Sequence, residues 1–145
     1  MKCLIKTLRE NNMKVTPQRI AIFEMLAQTK SHPSAELIYK KLSVDYPTMS
    51  LATVYKSLDI FKKSGLVQEL NVGENSFRYD ANTKSHPHII CTTCHQVEDI
   101  HDAVFTDLIS IISKNTNYDV TKQQLYFYGI CPQCKSDISQ AQFAH

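Results

Sequence analysis

Tryptophan is absent from this 145-residue chain, and glycine occurs only three times. With so little glycine, the breaks between elements fall to other residues, and Thr16-Pro17, His32-Pro33 and Tyr46-Pro47 mark them. Long apolar runs are also missing, which excludes a helix spanning a bilayer, and the start Met1-Lys2-Cys3-Leu4-Ile5-Lys6 has no long apolar secretion core. A cytoplasmic protein with no membrane partner is expected. In a reducing compartment the five cysteines favour metal binding or redox work over disulfides. Charge of one sign is in short supply too, with a net charge of only +2. It is unevenly spread, however. Residues 1–80 carry twelve Lys/Arg against eight Asp/Glu, and the remainder four against six. A mildly basic first half favours an anionic partner there, although such a surplus is also ordinary for a solvated surface.

What the chain does have is two Cys-x-x-Cys pairs, Cys91/Cys94 and Cys131/Cys134, separated by room for a helix and a strand. Each pair can grip a metal from one tight knuckle, and two knuckles close a tetrahedron with no position left for substrate, which reads as a structural Zn(2+) site. Cys3 is left over and reads as a plain N-terminal thiol. Just upstream of the first knuckle, His86 and His88 alternate, so that along a strand both imidazoles would share a face and serve a different metal.

Apolar periodicity predicts helices first. Leu4, Ile5 and Leu8 fall on one side of a helix over 2–11, closed by Asn11-Asn12. Thr16-Pro17 starts a second helix to about residue 28, with Ile20, Phe23, Leu26 and Ala27 inward. Ser34 caps a third, with Leu37, Ile38 and Leu42 inward. Ser50 caps a fourth, carrying Leu51, Val54, Leu58 and Phe61 on one face, and Gly65 lies just past its end. The period then changes to that of strands, over 66–72 and 77–79 around a hairpin turn at 73–76. Helices followed by a two-stranded hairpin make a winged helix-turn-helix, whose partner would be double-stranded DNA.

On the fourth helix, Ala52, Thr53, Tyr55 and Lys56 make a slim, hydroxyl-bearing N-terminal face that suits a major groove, with Lys14, Arg19 and Arg78 available for phosphates. The same face also reads as the solvated side of a packed helix. Beyond a short polar hinge, strands are expected over 88–90, 97–100 and 118–130, with a helix over 103–115 carrying Val104, Phe105, Leu108, Ile111 and Ile112 to cover them. The expected fold is α+β. A winged helix-turn-helix domain occupies 1–80, the hinge 81–84, and a small α/β dimerisation domain 85–145. So short a second domain has a thin core, to which zinc and pairing as a homodimer would both contribute.

Imidazoles and carboxylates gather where elements meet: His32 before the third helix, Asp80 at the hinge, His86 and His88 beyond it, and Asp99 after the first knuckle. A mixed nitrogen and oxygen set suits Fe(2+) or Mn(2+) better than a thiolate set does. Taken singly, His32 reads equally well as a turn residue, Asp80 as a hairpin end and Asp99 as a surface acid.

The segments Val15-Thr16-Pro17-Gln18-Arg19, 50–56, 86–94 and 126–134 together resemble the ferric uptake regulator (Fur) family, in order along nearly the whole chain. The resemblance implies a homodimeric, metal-responsive repressor of operator DNA. It further implies structural zinc on the four cysteines and a regulatory iron or manganese ion on His32, Asp80, His86, His88 and Asp99. Aspartate at 80 and 99, where iron-sensing members carry glutamate, is similar to the peroxide-sensing PerR branch, in which oxidation of ligand histidines releases the protein from DNA. The matching histidines are His32 and His86. Two readings compete with this: a Fur-family iron- or manganese-responsive repressor without peroxide sensing, and a thiol redox or zinc-dependent enzyme. Against an enzyme stands the absence of a free nucleophile once both Cys-x-x-Cys pairs close on one zinc. Ser85, Pro87 and Gln123 stand where many iron-sensing members carry metal-binding residues, and His95 stands where glycine is usual after the second cysteine.

Overall fold

The computed structural model describes residues 2–101 and 107–143. The chain divides into two compact units, Met1–Thr83 and Lys84–His145, and its content is α+β as expected.

The first unit contains α1 (Lys2–Glu10), α2 (Pro17–Gln28), α3 (Ala35–Leu42) and α4 (Leu51–Lys63), followed by a hairpin of β1 (Gln68–Gly73) and β2 (Ser76–Asp80). Three helices begin on a hydroxyl cap. Thr16 accepts from the Arg19 N–H, Ser34 from Leu37 and Ser50 from Thr53, at 3.1–3.2 Å. The ends are as well defined. After α4, Gly65 takes φ +69°, its N–H reaches the Lys62 carbonyl, and the Leu66 N–H reaches Phe61, which makes a Schellman turn. Asn12, with φ 55°, closes α1 in the same way: its N–H bonds Arg9, and that of Met13 bonds Leu8.

The core of this unit gathers Leu4, Leu8, Ile22, Leu26, Ile38, Val54, Leu58 and Phe61, all essentially buried. Phe23 meets Phe61 edge to face at 5.7 Å. On α2 the stripe differs from expectation: Ile22 and Leu26 are buried, and Ala27 is exposed. The reason is that α2 packs against α3, α4 and β2 together, so its apolar residues are not confined to one stripe. In the hairpin, Gln68 pairs with Asp80 and Gly73 with Ser76. The two turn residues Glu74 and Asn75 have φ 53° and 57°, the type I′ geometry that matches strand twist.

In the second unit, β3 (His88–Cys91) pairs antiparallel with β4 (Val97–Asp99) and parallel with β5 (Tyr126–Gly129), in the order β4-β3-β5. Between β4 and β5 lies α5 (Leu108–Asn115), and α6 (Pro132–Phe143) follows β5. Two expectations need correction, on the last strand and on how far the helix before it is buried. The strand expected over 118–130 is confined to Tyr126–Gly129, because the stretch before it is mostly polar and exposed, as at Tyr118. The helix expected over 103–115 is described only from Leu108; Val104 and Phe105 lie outside the described residues. Among its described residues none is fully buried: Leu108 and Ile109 are half-buried, and Ile111 and Ile112 are each 48% exposed. Helix α6 was not anticipated. Ile90 and Val97 are the buried aliphatic side chains among the described residues of this unit. At about 1.5–3 kcal/mol for each, they leave much of the ordering to other interactions.

Candidate metal centres

The thiol cluster is built by two turns of the second unit. At the end of β3 the chain reverses through Cys91-Thr92-Thr93-Cys94, with the His95 N–H donating to the Cys91 carbonyl at 2.9 Å and the Cys91 N–H to Gln96 at 2.9 Å. His95 sits in the left-handed region at φ 61°, which explains why glycine suits this position. The second turn is the start of α6. Cys131 directly precedes Pro132, its first residue, and Cys134 lies in its first turn with its N–H 3.5 Å from Cys131 Sγ.

The four Sγ atoms lie within 4.8 Å of one another, and Cys94 and Cys131 are 3.8 Å apart. Metal–sulfur bonds of about 2.3 Å in a tetrahedron give sulfur–sulfur edges of about 3.8 Å, so the cluster fits a closed zinc site. The protonation pattern agrees with the crowding. Cys91 is lowered to about 5, mainly by the N–H groups of Cys131, 3.3 Å from its sulfur, and of Cys94. Cys134 is raised to about 12, first by its thiol partner Cys131 and then by burial. Four sulfurs this close cannot all ionise without a cation among them.

The nitrogen and oxygen donors fall into two groups, one in each unit. In the first unit His32, 3% exposed, places Nε2 3.4 Å from Asp80 Oδ2. His32 has φ 49°, a left-handed conformation uncommon outside glycine. Asp80 ends β2, where its Oδ1 accepts the Asn82 N–H at 2.8 Å and its Oδ2 faces Gln68 Nε2 at 3.3 Å. In the second unit, His86 and His88 stack at 4.4 Å between ring centroids. Both aim Nε2 at Asp99 Oδ1, at 3.1 and 3.3 Å. The β3–β4 register pairs His88 with Asp99 directly. His86 Nδ1 lies 2.6 Å from the Lys84 carbonyl, which fixes the proton on Nδ1 and leaves Nε2 as the donor toward a metal. A set of imidazole nitrogens and carboxylate oxygens is the donor type of Fe(II) and Mn(II) sites.

Of the residues expected to face DNA, Ala52, Tyr55 and Lys56 are exposed on α4, and Thr53 is half-buried, with its hydroxyl 2.9 Å from that of Ser50. Arg19, Thr53 and Lys56 line one cleft of about 540 Å³ with Thr16 and Tyr46. Arg19 donates to the Lys14 carbonyl at 2.6 Å, which ties the loop before α2 to that cleft. The Tyr55 hydroxyl donates to the Glu36 carboxylate of α3. This bond comes first among the causes that hold Glu36 below the usual carboxylate range and raise Tyr55 above the usual phenol. Arg78 departs from expectation: it is half-buried, and its guanidinium is engaged with the His32 carbonyl at 3.4 Å rather than left for phosphate.

Comparison with known proteins gives these clusters a context. The model of the ferric uptake regulator family matches residues 10–128. The chain belongs to the ferric uptake regulator family. Among its relatives in that family, the peroxide-responsive repressor PerR of Staphylococcus epidermidis is 40% identical over 133 residues, covering 92% of this chain and 89% of the relative. The crystal structure of the Campylobacter jejuni peroxide stress regulator shares 32% identity at a TM-score of 0.75, over 90% of this chain and 98% of that one. The Helicobacter pylori ferric uptake regulator, 21% identical with a TM-score of 0.80 over 92% and 90%, shares the fold. This member of the ferric uptake regulator family is thus a metal-responsive regulator similar to the peroxide-responsive repressors, and not an enzyme. Among the described residues, no helix is long and apolar enough to cross a membrane.

Sequence reasoning missed α6 as the carrier of Cys134. The signal available was Pro132 directly after a cysteine able to cap, followed by eleven residues free of glycine and proline. The left-handed turn at His32 had no signal beyond the neighbouring proline.

Proposed function

We propose that the protein is a metal-dependent transcriptional repressor that binds operator DNA as a homodimer and is released when peroxide oxidises His32 or His86. The observation that carries this reading is the convergence of imidazole and carboxylate donors on either side of residues 81–84: His32 with Asp80 before them, His86 and His88 with Asp99 after them. One ion taking ligands from both groups would require the two units to close, and closing would set the two α4 helices of a dimer for two half-sites. Arg19, Thr53, Tyr55 and Lys56, with Ala52 and Lys14 beside them, form the DNA face in this reading. Zinc on Cys91, Cys94, Cys131 and Cys134 is structural. The exposed apolar side chains of α5 and of the edge strand β5, such as Ile111, Ile112, Phe127 and Tyr128, are suited to pairing with a second copy.

Iron bound to the mixed donor set supplies an oxidant on meeting hydrogen peroxide. The residues within reach are the ligands themselves. A His32 or His86 ring that has gained one oxygen is a poorer nitrogen donor, and with it the cross-unit ligand set is lost. Similarity to the peroxide-responsive repressors and aspartate at positions 80 and 99 support this branch over plain metal sensing.

The deciding experiment loads the zinc-containing protein with Fe(II), adds hydrogen peroxide and maps peptides by mass spectrometry. A gain of one oxygen on the peptides of His32 or His86, absent when Mn(II) replaces iron and accompanied by loss of operator binding, is expected. Oxidation confined to methionine and cysteine would leave an iron- or manganese-responsive repressor without peroxide sensing.

A further inference from the structure

The hairpin of the first unit ends on two polar side chains that face each other. Gln68 opens β1, Asp80 closes β2, and the register sets them directly opposite. Residues so paired in an antiparallel hairpin put their side chains on one face, and here the two meet, with Gln68 Nε2 3.3 Å from Asp80 Oδ2. The same nitrogen lies 2.6 Å from the Asn82 carbonyl. A carboxylate and a carbonyl only accept, so the amide must turn its nitrogen toward them, and its two hydrogens serve one each. Asp80 Oδ1 takes the Asn82 N–H at 2.8 Å, and Oδ2 lies 3.4 Å from His32 Nε2. Asp80 is only 8% exposed, so a polar partner here matters more than it would at the surface.

We propose that Gln68 is a positioning residue for the regulatory ion, holding the Asp80 carboxylate with Oδ2 toward His32 and tying it to the backbone at Asn82. The inference rests on the reading of His32 and Asp80 as ligands of that ion. An aspartate carboxylate turns easily about its last bond, and each turn changes which oxygen faces a cation. Held at Oδ1 by the Asn82 N–H and at Oδ2 by the Gln68 amide, this one gives up that freedom before an ion arrives. Binding then need not order it. The amide also links the ligand to the chain that follows. Because one nitrogen holds both Asp80 and the Asn82 carbonyl, the orientation of the carboxylate and the course of residues 80–82 are set together. All of these groups belong to the first unit.

The test loads the zinc-containing protein with Co(II), a stand-in ion whose d–d bands report ligand geometry and whose uptake is measured by competition with a chromophoric chelator. The wild type is expected to bind one Co(II) per chain beyond its zinc. Gln68→Met keeps the length of the side chain and removes its hydrogens; it should weaken Co(II) by about tenfold, as loss of a hydrogen bond to a metal ligand does, and alter the d–d bands. Gln68→Lys, which keeps donors at this reach, should restore part of both. Asn75→Ala serves as the structural control, since it strains the left-handed turn at the far end of the same hairpin without touching Asp80. It should lower the urea midpoint and leave Co(II) affinity and bands as in the wild type. Wild-type affinity and bands in Gln68→Met, with both lost in Asp80→Asn, would overturn the positioning role and keep Asp80 as a ligand. Equal weakening in Gln68→Met and Asn75→Ala, with unchanged bands, would overturn it too, by reducing Gln68 to a structural part of the hairpin. If Asp80→Asn binds Co(II) like the wild type, the ligand reading of Asp80 fails, and the positioning role with it.

Discussion

Two residues carry conformations or charges that their surroundings must sustain, and each makes a measurable difference. His95 stands at φ 61° in the first knuckle, where its N–H closes the turn on Cys91. Left-handed backbone costs a side chain with a Cβ about 1–2 kcal/mol, and the greater freedom of glycine in the unfolded chain offsets about 0.5–1 kcal/mol of the relief. Comparing His95→Gly with His95→Ala removes the imidazole in both, so the difference isolates the backbone. The glycine variant is expected to be more stable by about 1 kcal/mol in urea denaturation of the zinc-bound protein; an alanine variant as stable as the glycine one would show that the turn is not strained. Tyr79 is the second case. Burial first, and then the Glu69 carboxylate 3.2 Å from its hydroxyl, raise its pKa above the ordinary phenol value. The folded state therefore holds the phenol proton more tightly than the unfolded one. That contribution is fully present below the unfolded value of about 10 and is lost as pH rises from there through the folded pKa. Urea midpoints between pH 8 and 11 should fall more steeply for the wild type than for Tyr79→Phe, and parallel profiles would contradict the shift. Neither feature is visible in sequence. The identity of His95 shows only that glycine is missing, and the surroundings of Tyr79 are assembled by α3 and the hairpin from distant parts of the chain.

At the scale of elements, α4 is specified from both ends. Ser50 satisfies the Thr53 N–H, and Gly65 makes the closing left-handed turn with no atom within 4 Å of where a Cβ would sit. Ser50→Ala removes a cap worth about 1 kcal/mol, and Gly65→Ala adds conformational strain of about 1 kcal/mol without a clash. The helix spans about 20 Å, so the two losses should add to about 2 kcal/mol in the double variant. Urea denaturation checks both sizes and their additivity, and a silent Gly65→Ala would refute the assigned turn. Such end signals are why α1 to α4 and the hairpin were legible: caps, a proline at a first turn and apolar periodicity all agree there. The second unit was less legible for the opposite reason. Helix α6 has no apolar stripe to read, α5 shows Ile111 and Ile112 to solvent, and β5 acquires its partner β3 across more than thirty intervening residues, a pairing that no local pattern announces. The candidate ligands could be named from residue type and position. Which of them meet inside each unit, and the fixing of the His86 tautomer by Lys84, required coordinates.

For the whole molecule the question is how one ion could change what two units do together. A ligand moves an equilibrium only by its differential affinity for the two states, and a swing from 1:99 to 99:1 requires about 10⁴-fold tighter binding to one of them. In the proposed reading that difference arises because the closed arrangement offers His32, Asp80, His86, His88 and Asp99 together, and an open one offers at most the donors of one unit. The segment between the donor groups reports on the change. Lys84 is exposed, follows directly on the first unit and precedes Ser85, so it is a site where trypsin can cut. Addition of Mn(II) to the zinc-bound protein should slow cleavage after Lys84 and, over the same concentration range, confer operator binding. His32→Ala removes a donor from the first unit and leaves the four cysteines untouched. It should retain one zinc per chain and a wild-type cleavage rate without Mn(II), yet gain neither protection nor DNA affinity when Mn(II) is added. If Mn(II) protected the His32→Ala variant as fully as the wild type, the second unit alone would account for the metal, and closure across residues 81–84 would have to be abandoned as the switch.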